Sequence, residues 1–348
     1  MNLADFPHRR FNPLSGQWTL VSCHRTKRPW QGKPDTSLHQ SIAQFDPKCA
    51  LCPGNLRAGN QKNPQYDSPF TFDNDFPMLL PDIPLEHMNE RDVLVASGEQ
   101  GMCRVVSYSP RHDLSLSLLT PQEIFGIVEA WEIEHTELIK RGDTEYISIF
   151  ENRGDFMGGT SLHPHCQIVS SATVPTVPSI ETINQEKYHS DHDACLLCTY
   201  VEVELTMKSR LIIENDHFVA LVPFWAYWPY ETIIIPKAHK PDILGMSRDE
   251  KMALAEMLHR IAVKLDNLSN SPFPYAMAVH QKPCMADPKS EAAWHFHIHF
   301  LPPIARNAVR RKFMTAYELA FMDKRDSTPE ETARRLRASL EKHYSVVG

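Results

Sequence analysis

The chain has 348 residues, with 43 acidic against 36 Lys and Arg side chains and a formal net charge of −7. That length admits two ordinary domains or one duplicated unit with ample core, and the acidic balance gives no electrostatic footprint for nucleic acid or an anionic membrane. No apolar stretch is long enough to cross a bilayer and residues 1–10 carry no apolar leader, so the chain is expected to be cytoplasmic.

The first sixty residues are rich in Pro, Asn and basic side chains, with little periodicity, and read as loops and short strands around Trp18 and Trp30. Within them, Cys49-Ala50-Leu51-Cys52 runs into Pro53-Gly54-Asn55, a tight turn typical of a zinc knuckle. Four of the eight cysteines fall in two Cys-x-x-Cys pairs, a pattern suited to metal in a reduced protein. Cys23, Cys103, Cys166 and Cys284 are scattered and read as ordinary buried or half-buried thiols. Residues 72–76 look like a strand end and residues 103–112 like a strand. Thr120-Pro121-Gln122-Glu123 is a capping box with Pro at the first helical position, and Ile124, Val128, Trp131 and Leu138 continue one apolar face of a long helix. Residues 145–152 alternate like a half-buried strand.

The chain then enters a Gly-rich approach to His163-Pro164-His165-Cys166-Gln167. In an extended chain, His163, His165 and Gln167 fall at i, i+2 and i+4 and share one face. Pro164 cannot donate to a ladder, which predicts an edge or interrupted strand open to a ligand. The second half repeats the whole order. Cys195-Leu196-Leu197-Cys198 answers the first cysteine pair, residues 213–216 answer 72–75, and the strand at 231–239 answers the one ending at His112. Ser247-x-x-Glu250 caps a helix carrying Leu254, Leu258, Ile261 and Leu265, residues 275–280 make the next strand, and His295-Phe296-His297-Ile298-His299 stands where His163-Pro164-His165 stood. The common order implies a duplication. A last helix runs from Thr328-Pro329-Glu330-Glu331 to Leu340.

A duplicated unit that ends each copy in His-x-His resembles the histidine-triad superfamily of nucleotide-binding proteins. More closely, it resembles the galactose-1-phosphate uridylyltransferase family. The resemblance is carried by Pro7-His8-Arg9-Arg10, Gly16-Gln17-Trp18, Lys27-Arg28-Pro29-Trp30, Asn74-Asp75-Phe76, Phe150-Glu151-Asn152 and His163-Pro164-His165-x-Gln167. It continues in Pro223-Phe224-Trp225-Ala226-x-Trp228-Pro229, Pro236-Lys237-Ala238-His239 and Arg311-Lys312-Phe313-Met314, so that nearly the whole chain is covered. It implies an α+β fold of two tandem histidine-triad-like repeats, mostly antiparallel sheet with flanking helices. Residues 1–190 would hold the nucleophile and a zinc site, and residues 191–348 a second metal site and a hexose-binding segment. The implied activity is ping-pong transfer of UMP from UDP-glucose to galactose 1-phosphate through a uridylyl-histidine, in a homodimer with shared active sites.

In that family a histidine is the covalent nucleophile, and His165 matches its position; a neutral imidazole is competent toward phosphorus. Gln167 would donate to a phosphoryl oxygen without adding charge, and Thr160 and Ser161, with the backbone of Gly158-Gly159, would supply further neutral donors. Arg25 and Arg28 match arginines near the diphosphate that reach the partner subunit's site. Asn74 and Asp75 match ribose-binding positions, Phe76 would lie against the uracil, and Asn152 is a further substrate-binding position. Lys312, Phe313, Tyr317 and Glu318 match hexose-phosphate residues that arrive from the other subunit.

Cys49, Cys52, His112 and His163 form a two-Cys, two-His set for which tetrahedral zinc is the natural ion, with a structural role. For a second ion the resemblance gives Glu181, His280, His297 and His299, filled with zinc or iron. Internal symmetry gives Cys195, Cys198, His239 and His297. Both sets claim His297, so they read as exclusive; the first is preferred because His297 and His299 share a strand face, and Cys195 and Cys198 then read as a vestige of the duplication. The chain departs from the family pattern at Gly159-Thr160-Ser161-Leu162, in place of Cys-Ser-Asn-Pro, at Thr315-Ala316, in place of Val-Gly, and at Lys324, where glutamine is common. Two other readings stay open: transfer or phosphorolysis on another nucleoside diphosphate sugar or sugar 1-phosphate, and a non-catalytic zinc-dependent nucleotide-binding protein. Against the last stand His165 and Gln167, since a binding module needs neither.

Overall fold

The computed structural model describes residues 6–27, 42–159, 161–302 and 314–346. Strands β1 (His8–Asn12) and β2 (Gln17–Val21) form an antiparallel hairpin. After them come β3 (Phe70–Asp73), the hairpin β4 (His87–Glu90) and β5 (Leu94–Ser97), β6 (Gly101–Ser107), α1 (Pro121–Ile139), β7 (Tyr146–Arg153) and β8 (His165–Ser171). Two helices, α2 (Thr176–His192) and α3 (Leu196–Met207), lead into β9 (Leu211–Glu214), β10 (Phe218–Leu221), β11 (Thr232–Pro236), α4 (Arg248–Asn267), β12 (Tyr275–His280), α5 (Pro288–Ala293) and β13 (His297–Leu301). The described chain finishes with α6 (Ala316–Ala320), β14 (Lys324–Arg325), which pairs in parallel with β2, and α7 (Pro329–Ala338).

Nine strands build one antiparallel sheet in the order β3-β6-β8-β7-β12-β13-β11-β10-β9. Its centre is the β7–β12 pair, with Tyr275 opposite Arg153 and Val279 opposite Ile149. Outward from that seam β8, β6 and β3 on one side answer β13, β11 and β10 on the other, and β9 is an additional edge. The α+β class and the mostly antiparallel sheet are those expected from the sequence. One detail of the repeat differs. Residues 213–216 answer 72–75 in sequence, but β10 rather than β9 takes the place of β3. In the second half Asn215 closes a tight hairpin, its Oδ1 accepting from the His217 and Phe218 N–H groups at 3.1 and 2.9 Å. In the first half the chain instead runs on alongside β6, with Asn74 N–H donating to the Cys103 carbonyl at 2.9 Å and Gly101 N–H to that of Leu80 at 3.0 Å.

Both predicted capping boxes form, Thr120 with Glu123 and Ser247 with Glu250, and they start the two long helices α1 and α4. These helices pack on each other and on one face of the sheet, where Trp131, Leu258, Ile149, Ile168, Met277 and Ile298 share a core. Each such side chain contributes roughly 1.5–3 kcal/mol on burial. On β11, Ile234 faces this core, whereas Ile233 and Ile235 face a second one with Leu197 and Val201 of α3 and Trp225. The alternation of the pleat therefore buries that strand on both sides. No helix among the described residues is long and apolar enough to cross a membrane.

The strand that carries His165 is central, which corrects the edge position expected from Pro164. β8 lies between β6 and β7, with His165 opposite Ser107. The proline falls one residue outside the ladder, so its missing N–H breaks nothing, and its carbonyl accepts from Tyr108 N–H at 2.9 Å.

Candidate active site and metal centres

His163 and His165 sit two residues apart in very different surroundings. His163 precedes β8 and is buried, with Nε2 at 2.8 Å from the Ser109 carbonyl and 2.9 Å from Ser107 Oγ. A carbonyl can only accept, so Nε2 carries the proton and the Nδ1 lone pair faces Cys52 Sγ at 3.5 Å. His112 Nδ1 stands 3.7 Å from the same sulfur. With Cys49 these ligand atoms all lie within 4.8 Å of one another, and all four residues are buried. Sulfur and nitrogen ligands on a tetrahedral zinc are about 3.6 Å apart, so donors and spacing fit that ion. The knuckle is held by Asn55 Nδ2, which donates to the Asp46 and Cys49 carbonyls at 2.8 Å each, and by Gly54 at φ +73°, where a Cβ would overlap the Gln65 amide. Burial drives the pKa of His163 down to about 4 and that of Cys52 up to about 11.

His165 Nδ1 is 2.8 Å from the His163 carbonyl, to which it must donate, leaving Nε2 with its lone pair. Burial lowers its pKa and so favours the neutral ring. His165 and Gln167 line one cleft of about 560 Å³ together with Asn74, Asp75, Phe76 and Ser161. Asn74 Nδ2 donates to Gln167 Oε1 at 3.3 Å, which assigns the amide nitrogen of Gln167 to the other side, and Asn74 Oδ1 accepts from Phe76 N–H at 2.9 Å. Asp75 is paired with Arg57 at 2.9 Å, and Phe76 is 82% exposed. Asn152, Ser161 and His165 also line an adjoining cavity of about 120 Å³. Ser161 Oγ accepts from His163 N–H at 3.2 Å.

Three predicted site residues lie elsewhere in this chain. Arg25 is 3.2 Å from Asp326, away from the cleft. Tyr317 and Glu318 are on α6, where Glu318 accepts from the Thr315 N–H and hydroxyl at 2.9 Å each and so caps the helix. Arg28, Thr160, Lys312 and Phe313 fall outside the described residues. Sequence reasoning passes over Arg57, whose guanidinium also lies 4.0 Å from the Phe72 ring centroid, and Ser107, which touches His163 from the strand opposite. Neither carries a motif: the register of β6 on β8 places Ser107, and Arg57 reaches Asp75 from outside the strands.

The second half holds two clusters where the sequence reads as allowing one. Glu181, on α2, has Oε2 at 2.8 Å from His280 Nδ1 and 3.7 Å from His297 Nε2. His297 Nε2 and His299 Nδ1 are buried without a hydrogen-bond partner among the described residues. Such bare buried nitrogens converging on a carboxylate fit a cation of borderline hardness. Burial alone would raise the Glu181 pKa, but His280 and His297 hold it well below the usual carboxylate range; burial also pushes His299 far down.

The cysteine set is completed by His295, not by His297, which corrects the expected Cys195, Cys198, His239 and His297 grouping. Cys198 Sγ is 3.3 Å from His295 Nδ1 and 3.6 Å from His239 Nδ1. The reason is positional. His295 precedes β13 by two residues, as His163 precedes β8, so His295 is the counterpart of His163 and His297 the counterpart of His165. The hydrogen bonds agree, since His297 Nδ1 is 2.8 Å from the His295 carbonyl. The two sets share no residue, and both are assembled.

An antiparallel sheet with this internal two-fold, each half entering its inner strand through a His-x-His turn, is the duplicated histidine-triad-like α+β fold. Residues 1–175 match the galactose-1-phosphate uridyl transferase N-terminal domain, and residues 181–347 its C-terminal domain. The galactose-1-phosphate uridylyltransferase of Haemophilus influenzae is 40% identical over 341 residues, which is 98% of this chain and 97% of that protein. That of Rattus norvegicus is 38% identical over 344 residues, 99% and 90% of the two chains. A solved uridylyltransferase superposes with a TM-score of 0.76 at 28% identity, covering 95% of this chain and 97% of the other. An ADP-glucose phosphorylase of Arabidopsis thaliana shares the fold at a TM-score of 0.75 and 23% identity, covering 96% and 99%. The chain belongs to the galactose-1-phosphate uridylyltransferase family.

Proposed function

We propose that this protein transfers UMP from UDP-glucose to galactose 1-phosphate by a ping-pong route through a uridylyl adduct of His165. The observation that carries the reading is the state of that ring: Nδ1–H is held by the His163 carbonyl at 2.8 Å, and Nε2 keeps its lone pair on a cleft with room for a nucleotide. In the first half-reaction Nε2 attacks the α-phosphorus. The bond to the departing phosphate oxygen breaks, and glucose 1-phosphate leaves with the electron pair. The ring becomes cationic, and the His163 carbonyl on its other nitrogen stabilises that charge. Galactose 1-phosphate then attacks the same phosphorus and His165 departs as neutral imidazole.

Gln167 donates from its amide nitrogen to a non-bridging oxygen, with Ser161 and Thr160 as further neutral donors. Asn74 and Asp75 take the ribose hydroxyls, Phe76 covers the uracil, and Asn152 contributes from the adjoining cavity. A zinc ion on Cys49, Cys52, His112 and His163 would have no open position, so it would supply structure by fixing the residue whose carbonyl orients His165. The Glu181, His280, His297 and His299 set would take zinc or iron. Arg25, Tyr317 and Glu318 lie off the cleft of their own chain, which supports a homodimer in which they, with Arg28, Lys312 and Phe313, complete the partner's site. The seat of the activity is the first half, residues 1–190, of a cytoplasmic enzyme.

The test mixes stoichiometric protein with UDP-glucose alone and follows glucose 1-phosphate and intact protein mass. The expected result is a burst of glucose 1-phosphate with a mass gain of one uridylyl group, discharged by galactose 1-phosphate. An unchanged mass with no burst defeats the covalent route, and a burst that survives in His165→Ala defeats the residue assignment.

A further inference from the structure

We propose that Cys195, Cys198, His239 and His295 bind a third metal ion, of the class that prefers thiolate and imidazole ligands, zinc first among them, separate from the Glu181 cluster. Around its second cysteine the geometry repeats that of the first cysteine site, and here Cys195 Sγ also lies 3.4 Å from His295 Nδ1. Cys198 Sγ lies 3.3 and 3.6 Å from the Nδ1 atoms of His295 and His239, where Cys52 Sγ lies 3.5 and 3.7 Å from those of His163 and His112. Ring centroids are 5.4 Å apart for His239 and His295 and 5.5 Å for His112 and His163. All four ligand atoms fall within 4.8 Å of one another.

Both imidazoles are already set in the ligating tautomer. His295 Nε2 is 3.0 Å from the Pro236 carbonyl and His239 Nε2 is 3.3 Å from that of Glu291. Because carbonyls only accept, the protons sit on Nε2 and both Nδ1 lone pairs face the sulfurs; a backbone acceptor on the second nitrogen is the usual support of a metal-bound histidine. Binding a divalent ion then requires only that the two thiol protons leave to solvent. The competing reading of the motif is a redox dithiol, since Cys195 is the N-cap of α3 and Cys198 lies in its first turn. That reading gives no part to the two oriented histidines.

The two cysteine sites differ in one respect. Every ligand of the first is buried, whereas here His239 is exposed and Cys198 half-buried. Solvent therefore reaches the third ion directly, and a chelator should strip it before the first.

The test uses the full chain, saturated with zinc and freed of loosely held ion, and measures zinc per chain. Three equivalents are expected, or two with one iron where the Glu181 cluster holds iron, and Cys195→Ser/Cys198→Ser should lose one zinc in either case. Replacement by cobalt should give thiolate charge-transfer absorption that halves in the same variant. A measurement without mutation guards against a folding failure: the native protein is treated with a thiol reagent before and after mild chelation, and modified cysteines are mapped by peptide mass. Cys195 and Cys198 should be protected in the zinc-loaded protein and modified on chelation ahead of Cys49 and Cys52. A zinc content that Cys195→Ser/Cys198→Ser leaves unchanged, or equal modification of Cys195 and Cys198 with and without zinc, would overturn the proposal.

Discussion

Replacing Gln167 by Ala tests the chemistry proposed for the cleft at its most exposed point. Asn74 Nδ2 engages Gln167 Oε1 at 3.3 Å, so the carboxamide is turned with its nitrogen toward the position a phosphoryl oxygen would take beside His165. The substitution deletes one preorganised neutral donor and adds no charge. Loss of one such donor costs about 10²–10³ in rate, or about 2.7–4 kcal/mol of transition-state stabilisation. Gln167→Met, which keeps the volume and lacks the donor, should behave alike, whereas Gln167→Glu sets a like charge beside the phosphate and should be slower still. Asn74→Ala removes a ribose contact, which falls on binding, and frees the amide to rotate, which should cost the burst rate about one ordinary hydrogen bond, about 0.5–1.5 kcal/mol. The assay is the single-turnover burst of glucose 1-phosphate at saturating UDP-glucose, which separates chemistry from binding. Burst rate should be lowest for Gln167→Glu, intermediate for Gln167→Ala and Gln167→Met and least reduced for Asn74→Ala, while burst amplitude stays near one per site. A Gln167→Met burst as fast as that of the native protein would refute the donor role.

Three further outcomes are expected from the same geometry. Asp266→Ala removes a buried carboxylate and strands the half-buried Arg153, whose two nitrogens reach it at 2.8 and 2.9 Å. Breaking such a pair costs about 3–5 kcal/mol. With an unfolding entropy of about 2.1 cal/mol/K per residue, that is a fall of about 4–7 °C in Tm, read by calorimetry. Glu330 accepts from Arg10 and Arg210 at 2.8 and 2.7 Å; burial pulls its pKa up, but these two cations win and bring it down to about 2. Because the folded value lies below the unfolded one of about 4.3, its stabilisation is complete above that pH and disappears as pH falls toward about 2. The gap in urea midpoint between native and Glu330→Gln protein should thus hold from neutral pH to about 5 and close below it. Finally, exhaustive chelation should abolish the glucose 1-phosphate burst and lower Tm, and zinc alone should restore both; a full burst in protein shown to be free of metal would refute the structural role given to the Cys49 site.

How much of the fold and the site is legible in the sequence depends on whether the determinant is local. Capping boxes at Thr120 and Ser247 need only four residues, and both helices start where they are expected. Helix α2 carries no such signal, because Pro175 precedes it without a side-chain cap and few of its residues are buried; its fixed point is Glu181, reaching His280 and His297 from another part of the chain. Pro164 misleads because a one-residue offset decides whether a proline breaks a ladder or ends just outside it. The misassigned fourth ligand has the same origin. Along an extended chain His295 and His297 present alike at every second residue, and only the start of β13 shows which of them is the counterpart of His163.

That offset explains how one backbone arrangement, used twice, gives two different sites. His165 and His297 open equivalent strands, each with Nδ1 at 2.8 Å from the carbonyl two residues back, so each has a bare Nε2. The next residue on the same strand face differs, being Gln167 in one half and His299 in the other. The surroundings differ as well. In the first half Asn74 and Asp75 border an open cleft. In the second half Asn215 is turned inward to the Ala253 carbonyl at 2.9 Å and to Glu256 at 3.1 Å, while Trp294 lies with its ring 6.2 Å from that of His297 and nearly parallel to it. With no exposed surface and a carboxylate 3.7 Å away, the second Nε2 has a cation for its natural partner rather than a phosphorus atom. The preformed imidazole is common to both halves, and it is access, together with the sign of the nearest charge, that distinguishes the nucleophile proposed in the first half from the ligand proposed in the second.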